Sequence, residues 1–440
     1  MINKVKGTYD VLPNESYKWQ YLEQKIREIT KKYNFKEIRT PIMEYSGVIH
    51  RETELSDMVT KETYNFIDKG NREVTLRPEG TAGVIRSYVE NKLYAQNDLI
   101  KAYYIEAMFR YERPQKGRYR QFMQFGIEAI GSKSPLLDAE VIAMSSDFIS
   151  SLGLKNVVIE LNSIGDVDSR MKYQEALINY LTPFKEELSF DSKERLIKNP
   201  LRILDSKDSK DQEIVKNAPK PIDYLSDESK KYFEDVIKYL EAFNIVYQVN
   251  NTLVRGLDYY SEIVFEVKAQ IEGFGAQNVL GGGGRYENLV SELGGPKTSA
   301  IGVAFGMERL LLALEYENVL PNEEDNLDVF VITFGENEKI YGTKILNGLR
   351  NKGLTVDIEF DNKSFKAQLK KAINKNAKVL VIVGEDEVKN NTVTIKNTKT
   401  EKQVTVENQK IYETIKNELE NLKWEHIIIM NWQLKMLAKM

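Results

Sequence analysis

The chain has 440 residues, of which 42% are hydrophobic and 29% are charged, as is typical of globular proteins. A chain of this length usually divides into two or three domains. Its 62 basic and 66 acidic residues give a net charge of -4, which excludes an overall basic field and leaves only local patches for RNA. The absence of cysteine excludes disulfides, thiolate metal sites and a cysteine nucleophile, and with only two histidines we expect no histidine-based zinc site.

The N-terminal segment has no apolar run suited to a signal peptide, and no later run is long enough to span a membrane. We therefore expect a cytoplasmic protein without membrane contact. Apolar residues recur at helical spacing over residues 16–33, which predicts an amphipathic helix. Residues 35–42 alternate and contain Pro41, which predicts an edge strand or a strand end.

Short alternating segments broken by glycine and proline lie within residues 64–131 and predict an antiparallel sheet. Residues 168–243 are helical in pattern and strongly charged, which indicates a helical subdomain inserted into that domain. Sheet character returns at residues 253–267 and 302–305, and residues 308–316 form a leucine-rich helical pattern.

A polar linker at residues 322–326 precedes a second region. There, β-rich segments at residues 329–333, 355–358 and 379–383 alternate with helical patterns, which predicts a small α/β domain. We thus expect a first domain at residues 1–325, including the insertion at about 168–243, and a second at 326–422. Residues 423–440 form an atypical apolar tail to which we assign no function.

Four arginines flank a predicted hairpin turn: Arg110, Arg113, Arg118 and Arg120. The planar guanidinium binds phosphate oxygens through paired hydrogen bonds and keeps its charge, so such a hairpin can hold a nucleoside triphosphate or an RNA backbone. A solvated basic hairpin is the alternative. A later strand and glycine turn, residues 302–310, bring Arg309 to a helix start, although this pattern is common in ordinary packing.

Two further runs stand out. Residues 253–260 read Leu-Val-Arg-Gly-Leu-Asp-Tyr-Tyr, and taken alone they fit a strand in which Arg255 pairs with Asp258. Residues 281–284 are four glycines followed by Arg285 and Tyr286, and a flexible turn is the alternative for them. The glycine run lacks the Gly-Lys-Ser/Thr ending of a phosphate-binding P-loop.

Polar residues on two more segments are candidates for a pocket. Glu79 and Thr81 follow a strand and Pro78, where they can bind a ligand or form a turn with a helix cap. Gln124 and Glu128 lie four residues apart on a predicted strand and therefore share one face, which is either a pocket or a solvent-facing surface.

In their order, these motifs resemble those of histidyl-tRNA synthetases, a family of class II aminoacyl-tRNA synthetases. The strand ending at Pro41 resembles motif one, the arginine hairpin motif two and the Gly-x-Glu-Arg segment motif three. Residues 253–260 and 281–286 resemble signatures specific to histidine. The resemblance covers roughly residues 5–422 and implies an α+β catalytic domain with a mainly antiparallel sheet of class II type, an inserted helical subdomain and a C-terminal α/β anticodon-binding domain.

The resemblance implies that the chain activates L-histidine with ATP, as its Mg²⁺ complex, to histidyl-adenylate and pyrophosphate. It then implies transfer of histidine to the 3′ end of tRNA(His), by a homodimer without a structural metal. Some relatives carry cysteine pairs in the insertion, where this chain has Ser189, Ser192 and Ser206. The alternative is the catalytically inactive regulatory paralogue of ATP phosphoribosyltransferase, which usually lacks the C-terminal domain and the intact run at residues 255–260.

The resemblance also implies roles for particular residues. It implies that Arg255 and Arg110 are catalytic. It also implies that ATP is bound by Arg110, Arg118 and Arg309. Histidine binding falls to Glu79, Thr81, Arg110, Gln124, Glu128, Arg255, Tyr259 and Tyr260. Because imidazole has two distinct ring nitrogens, we expect Glu128 and Tyr260 to face them. In the C-terminal domain, Lys363, Lys366, Lys370 and Lys371 are expected either to contact tRNA phosphates or to form a solvated surface.

Overall fold

The computed structural model describes residues 2–51, 56–204, 206–254, 259–275, 278–321 and 327–421. The chain divides into two compact units, Met1–Pro321 and Asn322–Met440. The predicted tail at residues 423–440 and the linker at 322–326 lie outside the described residues. Among the described residues, no helix combines the length and apolar character needed to cross a membrane.

The first unit contains strands and helices in a mixed order along the chain. The strands are β1 (Lys36–Glu37), β2 (Met43–Tyr45), β3 (Tyr64–Ile67), β4 (Glu73–Leu76), β5 (Ile100–Phe109), β6 (Gln121–Ile130), β7 (Val157–Gly165), β8 (Gln248–Val249), β9 (Tyr260–Ala269), β10 (Val279–Tyr286) and β11 (Ala300–Gly306). The helices are α1 (Ser16–Lys32), α2 (Ser46–Ile49), α3 (Asp57–Lys61), α4 (Thr81–Glu90), α5 (Pro135–Ser151), α6 (Val167–Leu181), α7 (Phe190–Lys198), α8 (Ser209–Val215), α9 (Asp227–Ala242), α10 (Leu289–Glu292) and α11 (Met307–Tyr316).

An eight-stranded sheet has the order β1-β5-β6-β11-β10-β9-β7-β8. Its six inner strands pair antiparallel, and a short strand pairs parallel at each edge. The prediction of a mainly antiparallel sheet is therefore confirmed. Strand β1 lies at the edge, as residues 35–42 predict, but only two residues pair. A separate three-stranded sheet has the order β2-β4-β3.

The main hydrophobic core lies on one face of the eight-stranded sheet, against α1, α5, α9 and α11. Strand β6 explains how the sheet serves both a core and a site. Phe125 and Ile127 enter the core, whereas Gln124 and Glu128 point to the opposite face because successive side chains of a strand alternate. A smaller apolar cluster on that opposite face, which includes α4, packs around Tyr104 and Tyr286.

The predicted helical insertion contributes to two different cores. Apolar side chains between α6 and the residues just before α9, among them Leu177, Leu196 and Ile203, form a cluster of their own. By contrast, Phe233, Val236 and Leu240 of α9 belong to the main core. The last helix of the predicted insertion thus supports the large sheet.

Polar groups hold the insertion together around Asp211. Its carboxylate accepts hydrogen bonds from the Ser189 backbone N–H at 2.9 Å and from the Ser189, Ser192 and Ser206 hydroxyls at 2.6 Å each. Burial raises the pKa of Asp211, but the hydrogen bonds outweigh burial and the net shift is downward. The serines therefore surround an ionised carboxylate that joins α7 to α8.

The glycine run lies within β10, so the alternative of a flexible turn is wrong. Close packing explains the residue type. A Cβ atom at Gly281 would overlap the ring of Phe305 on the neighbouring strand, and one at Gly284 would approach Tyr260. Glycine at these positions leaves the space that the rings of Phe305 on β11 and Tyr260 on β9 occupy over β10.

The second unit is an α/β structure, as predicted. Its strands are β12 (Val329–Thr333), β13 (Val356–Ile358), β14 (Val379–Val383), β15 (Thr392–Asn397) and β16 (Gln403–Glu407), in the sheet order β13-β12-β14-β15-β16. Its helices are α12 (Glu336–Arg350), α13 (Phe365–Asn374), α14 (Glu385–Asn390) and the helical residues 411–421. The β12–β14 pair is parallel and largely buried, which accounts for its continuous apolar sequence.

Candidate active site

A pocket opens on the face of the large sheet opposite the main core. It brings together nearly all the side chains predicted to form a site, namely Glu79, Thr81, Arg110, Arg118, Gln124, Glu128, Tyr259, Tyr260 and Arg309. The remaining predicted residue, Arg255, lies outside the described residues. These side chains come from segments more than two hundred residues apart and meet because β6, β10 and β11 are neighbours.

The arginine hairpin joins β5 to β6 and forms one wall of the pocket. Arg110 donates from Nε to the Pro78 carbonyl oxygen at 2.8 Å, and its guanidinium lies 5.1 Å from the Phe122 ring centre. Arg309 donates to the carbonyl oxygens of Gly117 and Val279 at 3.2 and 2.8 Å. Both guanidinium groups are thus oriented by the backbone, and the pocket contains fixed cationic groups.

Carboxylates surround the third predicted cation. Arg118 forms an ion pair with Glu112 and lies 3.5 Å from Glu62. Burial and the neighbouring Glu112 raise the pKa of Glu62 to about 7. Because of these two contacts, Arg118 is held by acidic groups of the chain itself. An incoming anion must therefore compete with Glu112 and Glu62 for its guanidinium.

Glu79 and Thr81 occupy the start of α4. The Glu79 carboxylate accepts from the backbone N–H groups of Thr81 at 2.6 Å and Ala82 at 2.8 Å. Glu79 precedes the N-cap residue Gly80, so its carboxylate satisfies free N–H groups of the first turn of α4 although the N-cap residue itself has no side-chain cap. Both side chains also line the pocket, so capping orients the Glu79 carboxylate there.

Glu128 is the most deeply buried acid of the pocket, with 1% of its surface exposed. It accepts a hydrogen bond from the Thr81 hydroxyl at 2.6 Å and another from the Tyr286 hydroxyl at 2.7 Å. Burial raises the pKa of Glu128 to about 8, since desolvation outweighs these two hydrogen bonds and Glu79 adds a like charge nearby. Near neutral pH this carboxyl group is therefore mainly protonated.

Tyr286 is a pocket residue that the sequence motif contained but the predicted site did not include. Its position follows from the alternation of β10. Arg285 points away from the pocket and is fully buried against Asp138, whereas Tyr286 points into it. The same alternation rule that predicted Gln124 and Glu128 would have found it. Glu112 and Glu308 also line the pocket and were not predicted.

Two buried polar atoms at the pocket have no hydrogen-bond partner within the described part of the chain: Oε1 of Gln124 and the hydroxyl of Tyr259. Buried polar atoms normally have partners because desolvation without one is costly. A polar ligand that offers hydrogen-bonding groups to both would satisfy them.

Comparison with known proteins gives concordant matches. A family model described as Histidyl-tRNA synthetase matches residues 7–310, and one described as Anticodon binding domain matches residues 328–418. The chain is 58% identical to the histidine--tRNA ligase of Acholeplasma laidlawii, covering 94% of this chain and 98% of that protein. It is 48% identical to that of Bacillus licheniformis, covering 90% and 94%.

A solved structure is similar over nearly the whole length. The apo histidyl-tRNA synthetase of S. aureus superposes with a TM-score of 0.82 at 41% identity, and the match covers 94% of this chain and 100% of that one. The resemblance in sequence therefore extends to the fold.

The raised pKa of Glu128 predicts a pH-dependent cost to stability. Its pKa is about 8 in the folded chain against an ordinary value of 4.5. The stability that the protonated form contributes is complete below the ordinary value and is lost as the pH rises towards the folded value. Glu128→Gln stays neutral at every pH and does not lose this contribution. From about pH 5.5 to about pH 8, the difference in unfolding free energy between the variant and wild type should therefore shift by roughly 3 kcal/mol in favour of the variant.

Denaturant unfolding at several pH values would measure this difference. Glu28→Gln, at an exposed glutamate of α1, is the control and should follow the wild-type pH dependence. Parallel pH curves for Glu128→Gln and wild type would mean that Glu128 ionises normally in the folded protein.

Proposed function

The chain belongs to the histidyl-tRNA synthetase family, and we propose how its pocket carries out the ATP-dependent ligation of histidine to tRNA. The observation that carries the proposal is the meeting in one pocket of Arg110 and Arg309 with the buried acid Glu128. Cationic groups suit a triphosphate, and a buried acid with its own hydrogen-bond donors suits a small polar ligand.

Activation is an attack by the histidine carboxylate on the α-phosphorus of ATP, with pyrophosphate as the leaving group. This step needs alignment and positive charge more than a general acid or base. Arg110 and Arg255 act at the α-phosphate in our proposal, and Arg309 and Arg118 hold the outer phosphates. The ATP substrate would be its Mg²⁺ complex, because hard cations such as Mg²⁺ prefer phosphate and carboxylate oxygens as ligands.

The histidine subsite combines acceptors and donors at opposite ends. Glu79 and Thr81 supply oxygen acceptors for the ammonium group. Glu128 and Tyr260 form hydrogen bonds with the two imidazole nitrogens. Gln124 and Tyr259 are the remaining polar residues of this subsite. A carboxyl with a pKa of about 8 can donate to an unprotonated ring nitrogen or, when ionised, accept from a protonated one. Apolar analogues would leave these buried polar groups unpaired and are therefore rejected.

Transfer of histidine to the 3′ end of tRNA(His) follows in the same pocket: a hydroxyl of the terminal adenosine attacks the histidyl carbonyl carbon, an ester bond forms, and AMP leaves as the bond to the α-phosphate breaks, its phosphate taking the hydroxyl proton. The rival assignment, an inactive regulatory paralogue of ATP phosphoribosyltransferase, is not favoured. The relatives named histidine--tRNA ligase align with 90–94% of this chain, and the second unit matches an anticodon-binding domain.

Histidine-dependent exchange of pyrophosphate into ATP tests the activation step and the role of Arg255 together. Wild-type protein should catalyse exchange with histidine and with no other amino acid. Arg255→Ala should lower the exchange rate by roughly a hundredfold or more, as loss of a transition-state cation does.

Arg350→Ala is the matched control, because Arg350 lies in the second unit and bonds the Val356 carbonyl oxygen. It should exchange at the wild-type rate. Absence of exchange in wild type would overturn the activity, whereas a fully active Arg255→Ala would overturn only the role of that arginine.

We also propose that two copies of the chain associate through the three-stranded sheet. Residues paired in register share a face, which places Met43 with Leu76, and Tyr45 and Phe66 with Val74, on one apolar surface. Tyr45 and Phe66 are 54% and 41% exposed within one chain. An apolar face of this kind on the motif-one region fits burial against a second copy.

Phe66→Glu should weaken the dimer, because it buries a charge in the interface, and sedimentation equilibrium would report a lower average mass. Ile67→Glu is the control on the same strand, since Ile67 pairs with Glu73 on the opposite face. A wild-type monomer, or equal dissociation by both variants, would contradict the proposed interface.

The four lysines in and just before α13 differ in their availability for tRNA phosphates. Lys371 pairs with Glu359 at 3.0 Å and Lys363 with Asp361 at 3.7 Å. Lys366 and Lys370 are exposed and lie four residues apart, on one side of the helix. We therefore assign tRNA contact chiefly to these two.

Replacing both Lys366 and Lys370 by glutamate should weaken tRNA binding and reduce the slope of log Kd against log salt by roughly one to two. Pyrophosphate exchange, which needs no tRNA, should be unchanged. The matching charge reversal of Lys399 and Lys402, in the turn between β15 and β16, serves as the control. Equal weakening by both pairs would indicate a general charge effect and would contradict a specific α13 contact.

A further inference from the structure

Tyr9 lies beside the pocket without lining it. It belongs to the segment before α1, about three hundred residues from the helix that it contacts. Its hydroxyl donates a 2.6 Å hydrogen bond to Oε1 of Glu308, and its ring lies 4.7 Å from the Tyr119 ring and 6.2 Å from the Trp19 ring. One side chain thus touches both walls that carry the phosphate-binding arginines.

The first wall is the start of α11. Glu308 immediately precedes Arg309, and its Oε1 accepts from the Met123 backbone N–H at 2.8 Å as well as from Tyr9. Glu308 itself lines the pocket. These two hydrogen bonds hold the carboxylate against β6 and the N-terminal segment. A carboxylate free to rotate beside Arg309 would compete with phosphate for that guanidinium and repel the triphosphate.

The second wall is the arginine hairpin. The Arg120 backbone N–H donates to the Gly7 carbonyl oxygen at 2.8 Å, which fixes the N-terminal segment on the hairpin. Gly7 has a φ of +88°, and a Cβ atom there would lie 2.8 Å from the Arg120 side chain and 2.9 Å from that of Pro114. Only glycine permits this approach, which brings the Tyr9 ring onto Tyr119, the neighbour of Arg118.

We propose that Tyr9 is a positioning residue for the outer phosphates of ATP. Its hydroxyl fixes the orientation of the Glu308 carboxylate beside Arg309, and its ring fixes the hairpin beside Arg118, so that both arginines face one triphosphate. This rests on the proposed function, in which Arg118 and Arg309 hold those phosphates. Tyr9 touches neither ATP nor histidine; it acts through Glu308 and Tyr119.

Tyr9→Phe removes the hydroxyl and keeps the ring. Loss of a hydrogen bond to a charged acceptor should raise the KM for ATP in histidine-dependent pyrophosphate exchange by roughly tenfold. The KM for histidine should stay at the wild-type value. Equilibrium binding should show the same contrast, with ATP weakened and adenosine, which has no phosphates, unaffected.

Tyr33→Phe is the matched control. The Tyr33 hydroxyl donates to Oδ2 of Asp147 at 2.8 Å, so this variant also removes a tyrosine–carboxylate bond, but away from the pocket. It should leave both KM values unchanged. Melting temperatures of the two variants show whether Tyr9→Phe has a further general effect on folding.

Adding Glu308→Gln tests whether Tyr9 acts through that carboxylate. An amide cannot form an ion pair with Arg309, so Tyr9→Phe should raise the KM for ATP much less in the Glu308→Gln background than in wild type. Fully multiplicative effects would overturn the proposed route.

An unchanged KM for ATP in Tyr9→Phe, or an equal rise in the KM values of ATP and histidine, would overturn the positioning role. Absence of histidine-dependent exchange in wild type is a different outcome, because it would overturn the proposed function itself.

Discussion

The fully buried ion pair between Arg285 and Asp138 anchors the strand on which the pocket depends. Arg285 also donates to the Ser132 carbonyl oxygen and the Ser299 hydroxyl, while Tyr232 donates to Asp138. Removing one partner of such a pair leaves an uncompensated buried charge and costs about 3–5 kcal/mol, so the register of β10 is strongly specified. Because side chains alternate along a strand, fixing Arg285 on the core side fixes Tyr286 in the pocket, where it holds Glu128.

The polar groups buried in the pocket lower the free energy of unfolding, and the rest of the fold must offset that loss. Burial keeps Glu128 mainly protonated near neutral pH, and Gln124 and Tyr259 keep polar atoms without partners among the described residues. Such groups destabilise the empty protein but become favourable contacts when a polar substrate fills the space. The continuous cores on both faces of the sheet supply the opposing stability. In the proposed function, specificity for histidine therefore comes from groups that lower the stability of the empty protein at one small place.

Local patterns in the sequence were sufficient for much of this fold. The predicted helix at residues 16–33 is α1, and the predicted strands at residues 329–333 and 379–383 match β12 and β14 because apolar spacing reports burial directly. The glycine run was harder to interpret, since only the partner Phe305 across the sheet explains why glycine is needed. The contact of Tyr9 with Glu308 has no local signal at all, because it joins segments about three hundred residues apart that meet only after the sheet forms.

Electrostatic pairing within the hairpin also bears on the proposed binding of ATP. In this structure Arg118 has carboxylate partners in Glu112 and Glu62, so binding a phosphate exchanges one ionic partner for another. The gain from that contact is the difference between two interactions, and it is smaller than the Coulomb attraction of a bare arginine for phosphate. Arg309 is oriented in part by the carbonyl oxygens of Gly117 and Val279. The ionic partners of Arg118 within the hairpin therefore reduce what this arginine can add to phosphate affinity, and they chiefly set the geometry of the hairpin.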